Sequence, residues 1–173
     1  MSQESPEPGA RFVGRPGDFD FLVGAPWRVR NRRLRRGADG REHWVEFEAL
    51  TEAWSHLGGQ VSIDEIRFES EGFSGCTVRS LNLQTRQWAI YWINSRHGGL
   101  FPPVFGGWDG ERGEFYGEDE DEQGRPVRVR FLWERLGPGC ARWTQAFALL
   151  AGAPGWVDNW VMEFERLPGA GRG

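Results

Sequence analysis

From residue 27 to residue 166, apolar and polar positions alternate with a period of two, not with the spacing of an amphipathic helix. The alternating runs are short, rich in aromatic residues, and bounded by Gly, Pro, Asn or Asp. They predict strands over 27–34, 43–53, 61–68, 73–83, 88–94, 104–108, 114–117, 127–134, 141–149 and 156–166, with a hairpin turn at Asp109-Gly110. About ten hairpin-linked strands with almost no helix signal specify an antiparallel meander. A sheet that long closes on itself, because open edges template aggregation and strand twist favours closure. The expectation is one all-β domain over residues 18–167, an antiparallel up-and-down barrel, ahead of a sandwich. Before the first strand, Asp18-Phe19-Asp20-Phe21-Leu22-Val23-Gly24 predicts a short helical or irregular plug. Residues 1–17, acidic and Pro-, Ser- and Glu-rich at their start, predict a disordered tail, and 168–173 a flexible one.

Within several runs both faces are mixed. Val127, Val129, Phe131 and Trp133 share one face. Trp160, Met162 and Phe164 share another, with Asn159, Val161, Glu163 and Glu165 opposite. Trp143, Gln145, Phe147 and Leu149 fall together, as do Trp88, Ile90, Trp92 and Asn94, with Tyr91 and Ile93 opposite. This mixing fits a part-polar cavity, and a barrel of about ten strands has room to hold one small ligand.

Composition narrows the chemistry. Ten Trp and twelve Phe among 173 residues give the chain material for a large core. All twenty-one basic residues are Arg, so Schiff-base chemistry and Lys-dependent phosphate motifs are excluded. A formal charge of −4 with scattered Arg argues against nucleic acid as a partner, and the dense run 28–36 reads as a solvated strand face. No run of eighteen apolar residues predicts a membrane span, and the first residues lack the basic and apolar regions of a signal peptide. Cys76 and Cys140, on separate strands, read as reduced, mostly buried thiols of a cytoplasmic protein, monomer or homodimer.

Gly24 shortly before Trp27, lengthened by Pro26, resembles the Gly-X-Trp signature of lipocalins and other calycins. In those barrels the Trp plugs the closed end and packs against a late Arg, which the resemblance places at Arg166. The run from Asp18 to Trp27 is similar to a bacterial lipocalin-like family known as a domain of unknown function. So are Trp88-Ala89-Ile90-Tyr91-Trp92, Ser95-Arg96, Gly113-Glu114-Phe115-Tyr116-Gly117, Arg142-Trp143-Thr144-Gln145-Ala146-Phe147 and Asn159-Trp160-Val161-Met162-Glu163-Phe164. The resemblance spans roughly residues 18–167 and implies the barrel, with no established activity attached.

Candidate chemistry is sparse. His43, His56 and His97 lie on different elements with no partner at ligand spacing, so neither metal nor cofactor is expected. The haem-holding lipocalin-like barrels, the nitrobindins, use a late His, and none follows His97. Glu46-Phe47-Glu48 has the paired carboxylates of the tunnel triphosphatases, but Leu50 stands where they carry Lys. Ser95-Arg96-His97 closes a strand at a barrel mouth. It lacks a nucleophile elbow, and Arg96 could grip a carboxylate or phosphate through its planar fork. Tyr91, Trp92, Arg96, Trp133, Trp143, Gln145, Asn159 and Trp160 form the candidate ligand-binding set. Glu163 and Arg96 are the weak catalytic candidates. The expected function is binding of a small, mostly hydrophobic or aromatic molecule. The alternative is a cofactor-free cyclase or isomerase acting on a natural-product intermediate, followed by a protein adaptor using the acidic loop 118–122.

Overall fold

A computed structural model describes residues 11–152 and 154–169. Ten antiparallel strands follow the alternating runs: β1 (Trp27–Arg36), β2 (Glu42–His56), β3 (Val61–Phe68), β4 (Phe73–Asn82), β5 (Gln87–Asn94), β6 (Val104–Asp109), β7 (Arg112–Glu120), β8 (Pro126–Gly137), β9 (Cys140–Leu149) and β10 (Val157–Arg166). Each strand pairs with its sequence neighbours, and β1 pairs with β10 from Trp27↔Arg166 to Arg33↔Trp160, closing the barrel. The predicted up-and-down barrel is therefore the observed fold. Strand β2 runs three residues beyond its predicted end, to His56, and the predicted plug is a 3₁₀ turn over Asp20–Leu22.

Alternation decides which side chains enter the barrel. Along β1, Trp27, Val29 and Asn31 are buried while Arg28, Arg30 and Arg32 are exposed. The arginine-rich run is thus only half of a solvated face: Arg33 and Arg35 continue the inward series. On β3 the inward series is Ser62, Asp64, Ile66 and Phe68, and on β4 it includes Phe73, Gly75 and Arg79. Gly75 has a steric reason, because a Cβ there would lie 1.8 Å from the Trp92 ring that crosses it.

The plug closes one end. Phe19 is buried beneath Trp88 and Trp108, with ring centroids 5.0 and 5.5 Å away in edge-on contacts. Trp27 donates its indole N–H to the Leu22 carbonyl at 3.0 Å. Arg166 lies over the Trp27 ring at 4.6 Å and donates to the carbonyls of Val23, at 3.1 Å, and Phe21. Burial of each such ring stabilises the fold by about 2–3 kcal/mol, and the Arg–carbonyl bonds satisfy acceptors that the short turn leaves open.

Part of the expected tail is ordered. Val13 forms a two-way backbone bridge with Trp108, at 3.1 and 3.2 Å, and the Gly14 amide donates to the Arg86 carbonyl at 2.7 Å. Gly107 permits this crossing, since a Cβ there would come within 2.5 Å of Val13. Residues 11–17 thus belong to the closed end rather than to a disordered tail. The remainder of that expectation, residues 1–10, and residues 170–173 of the flexible tail lie outside the described residues.

The opposite end is a mouth bounded by the hairpin loops β1–β2, β3–β4, β5–β6, β7–β8 and β9–β10. Its weakest seam is β5–β6, where register holds only from Trp88↔Gly106 to Ile90↔Val104. Beyond it, the Phe101 amide donates to the Trp92 carbonyl at 2.9 Å and holds the long 95–103 loop near the wall.

Candidate functional site: the barrel lumen

Above the plug the lumen holds a cavity of about 1000 Å³ that opens at the mouth. That volume suits a drug-sized molecule. Its walls are largely aromatic. The Trp143 ring meets Phe131 at 4.9 Å and Trp160 at 5.9 Å, and Trp133 meets Phe164 at 5.1 Å. Trp160 donates its indole N–H to Asn31 at 3.0 Å, which fixes that ring's tilt.

Of the predicted ligand-binding residues, Trp92, Arg96, Trp133, Trp143, Gln145, Asn159 and Trp160 all line this cavity. Asn159 enters it for a reason alternation does not supply. The β9–β10 register shifts between Asp158 and Trp160, so Asn159 and Trp160 both reach the lumen side. Gln145 then donates to Asn159 at 2.9 Å, forming a polar pair within the aromatic wall.

Two predicted residues are not in the lumen. Tyr91 lies between the inward-facing Ile90 and Trp92 and turns its side chain to the outer wall. Glu163 lies between the inward-facing Met162 and Phe164, and its carboxylate pairs outside with Arg142 at 3.5 Å and Arg30 at 3.8 Å. A carboxylate held in an exterior ion-pair chain cannot act on a molecule in the cavity, so Glu163 is withdrawn as a catalytic candidate. Arg96 is at the mouth, with its guanidinium 4.1 Å over the Phe73 ring and donating to the Glu71 carbonyl at 2.7 Å.

The lumen contains a polar pair that the sequence reading passed over. Asp64 and Arg79 face one another across β3 and β4, both buried, and both line the cavity. Arg79 donates to Asp64 Oδ2 through Nη2 and to the Ser62 hydroxyl through Nη1, at 3.2 Å for the latter. Its guanidinium stacks over Phe19 at 4.7 Å, so the pair forms the boundary between plug and cavity. Asp64 lines the cavity from this pair, and among the described residues the buried Arg79 Nε has no hydrogen-bond partner. Their strands carried the signal: Asp64 shares its alternating face with Ile66 and Phe68, and Arg79 shares its face with Leu81.

A basic arc rims one side of the mouth. Arg33 lies over Trp160 at 4.4 Å and Arg35 over Phe47 at 5.5 Å, beside Arg96 over Phe73. Arg35 has a close carboxylate partner, Glu71, at 2.6 Å. Among the described residues Arg33 reaches one carboxylate, Glu122, at 3.7 Å. Burial, and after it the charges of Arg35 and Arg96, hold the Arg33 guanidinium below its ordinary value.

The remaining candidates carry no site. His43 and His56, expected on different elements, stand at opposite ends of the lengthened β2, and His97 is on the loop after β5; all three are exposed, and no cluster of three metal-ligating side chains occurs among the described residues. Glu46 and Glu48 face outward on β2. Both thiols are free, but they are less buried than expected. Cys140 is exposed at the start of β9, and Cys76 is half-buried on the outer wall, where burial and then the charge of Asp64 push its thiol up. No helix among the described residues is long and apolar enough to cross a membrane. Neither a protein-family model nor a curated protein matches the chain, so its function has to be read from the barrel itself.

Proposed function

We propose that this protein binds a small, mostly hydrophobic or aromatic molecule inside its barrel. The observation that carries the proposal is the combination of a sealed floor with an open, ring-lined cavity of about 1000 Å³. A barrel stabilised only by its own packing would fill that volume with side chains, because protein interiors are close-packed and large voids are costly. Here the filling stops at the Asp64–Arg79 boundary, and the walls above it present indole faces with Gln145 and Asn159 as polar handles. The stacking of Arg166 on Trp27 beneath the plug supports the lipocalin-like resemblance, for which binding within the lumen is the expected role. The free thiols Cys76 and Cys140 support a cytoplasmic setting.

Native mass spectrometry of the purified chain, followed by denaturing extraction, tests the reading. The expected result is a small molecule bound one to one, or, for an unliganded chain, one-to-one uptake of the neutral fluorophore N-phenylnaphthylamine. An unliganded mass together with no uptake of that fluorophore overturns it.

The second reading, a cofactor-free enzyme of the cyclase or isomerase type, is favoured by one observation. Asp64 is a carboxylate lining the cavity, with Oδ2 held by Arg79. A carboxylate so placed can accept a proton from a bound molecule, with shape and orientation supplying the rest of the rate. On this reading Asp64 takes the role that the sequence assigned to Glu163. Turnover that is lost in Asp64→Asn while N-phenylnaphthylamine uptake persists would separate the enzyme from the carrier.

A further inference from the structure

We infer that the basic arc of the mouth is an anion site, and that the lumen's ligand is an amphipathic organic anion: an apolar or aromatic body carrying a carboxylate, sulfonate or phosphate at its outer end. The inference rests on the lumen-binding reading and narrows it to a chemical class.

The arc consists of Arg33, Arg35 and Arg96, over the rings of Trp160, Phe47 and Phe73 respectively; Trp160 and Phe73 line the cavity, and Phe47 packs against Trp160 in the core. A guanidinium stacked on a ring keeps its N–H donors in its own plane, free to meet a planar or tetrahedral anion edge-on. A ligand seated in the cavity therefore has its outer end beside these donors.

The charges of the arc are unevenly satisfied. Glu71 organises two of the three groups, its carboxylate pairing with Arg35 at 2.6 Å and its backbone carbonyl accepting from Arg96 at 2.7 Å. Arg96 has no carboxylate partner within ion-pair distance among the described residues. Arg33 has one, Glu122, at 3.7 Å, and that side chain is 73% exposed.

The position of Glu122 supports the assignment. It belongs to the β7–β8 hairpin, which the strand order places across the mouth from β1, with β9 and β10 between. That hairpin and the end of β7 carry Asp119, Glu120, Asp121 and Glu122, and Glu42 stands at the start of β2. Asp121 is already engaged by Arg125 at 2.8 Å. The contact from Glu122 to Arg33 thus crosses the opening, and its carboxylate stands where a ligand's anionic group would pair. Like charge between such a ligand and the acidic hairpin would displace Glu122 outward, so that the two anions compete for Arg33.

Two fluorophores sharing one ring system test this: anilinonaphthalene sulfonate, an anion, and N-phenylnaphthylamine, which is neutral. The expected result is that both bind and displace one another. The sulfonate should bind about tenfold more tightly at low salt, the worth of one charge-assisted pair. That advantage should shrink as salt is raised from about 0.02 to about 0.5 M, which screens exposed charges. Arg33→Gln combined with Arg96→Gln should bring the ratio of sulfonate to neutral-probe affinity down to about one. Glu122→Gln, on an exposed hairpin where folding is not at stake, should raise sulfonate affinity severalfold and leave the neutral probe unchanged. Equal affinity for the two probes, with no response to Glu122→Gln, overturns the anion site while leaving the lumen reading intact. Binding of neither probe overturns both.

Discussion

At the closed end of the barrel, rings pack on rings and the arginines stacked on them give donors to the chain's own groups: Arg166 to the plug carbonyls of Val23 and Phe21, and Arg135, over Trp108 at 5.0 Å, to the Gly110 carbonyl at 2.9 Å. At the mouth, rings of the same kind have a protein ring on one face and a guanidinium or open cavity on the other, and among the described residues Arg96 has no carboxylate partner and Arg33 has Glu122 at 3.7 Å. The residue types are nearly identical, so the difference lies in what completes each contact. Where the chain supplies the acceptors for the guanidinium, aromatic–arginine stacking is structural. Where it leaves partners over, the same stacking becomes a binding surface. The Asp64–Arg79 pair marks the level at which one regime gives way to the other.

The largest effect should come from removing a ring at the closed end. Trp27→Ala deletes a side chain that is 2% exposed and the platform beneath Arg166. Urea unfolding should show a loss of about 3–5 kcal/mol. A loss under about 1 kcal/mol would mean that the plug does not hold the barrel shut.

Next is the boundary itself. Asp64→Ala leaves Arg79 charged in a buried position with only the neutral Ser62 hydroxyl as its acceptor among the described residues, at a cost of about 3 kcal/mol. The double variant Asp64→Leu with Arg79→Met should regain most of that stability, because the desolvated charge is removed as well. A double-mutant cycle showing no coupling between the two positions would break the boundary assignment.

A smaller stability effect is expected on the cavity side. Trp143→Ala removes a ring that borders open volume, so it should cost less than Trp27→Ala, about 2 kcal/mol. It should instead weaken N-phenylnaphthylamine binding by about tenfold, the loss expected for one large apolar contact. If Trp143→Ala unfolds the chain as severely as Trp27→Ala, the two ends are energetically alike and the comparison fails. The smallest effects belong to the outer wall. Tyr91→Phe and Glu163→Gln should each stay within about 0.5 kcal/mol and leave probe affinity unchanged, as calorimetry and fluorescence titration would show.

Much of this was legible along the chain. Period-two runs punctuated by turn residues identified the ten strands, and the shared face of Val127, Val129, Phe131 and Trp133 is an inner face. Seven of the eight residues expected to bind ligand line the cavity. The misplacements of Tyr91 and Glu163 have one cause. In a strand, the neighbouring position points to the opposite face, and a cluster drawn along the chain mixes inside with outside. Asp64 and Arg79 were passed over for the opposite reason: a charge on an apolar face looks like an exception until its partner is seen on the next strand.

Local pattern by itself determined that this chain is a barrel, because alternation, turn residues and ring content act within a few residues of one another. The tertiary structure alone decided which arginine has a partner, where the packing stops, and what remains open. Those properties depend on closure bringing β1 beside β10, and on the mouth loops setting Glu122 across from Arg33. Contacts between residues far apart in sequence are created by the register of closure, and no local spacing encodes them.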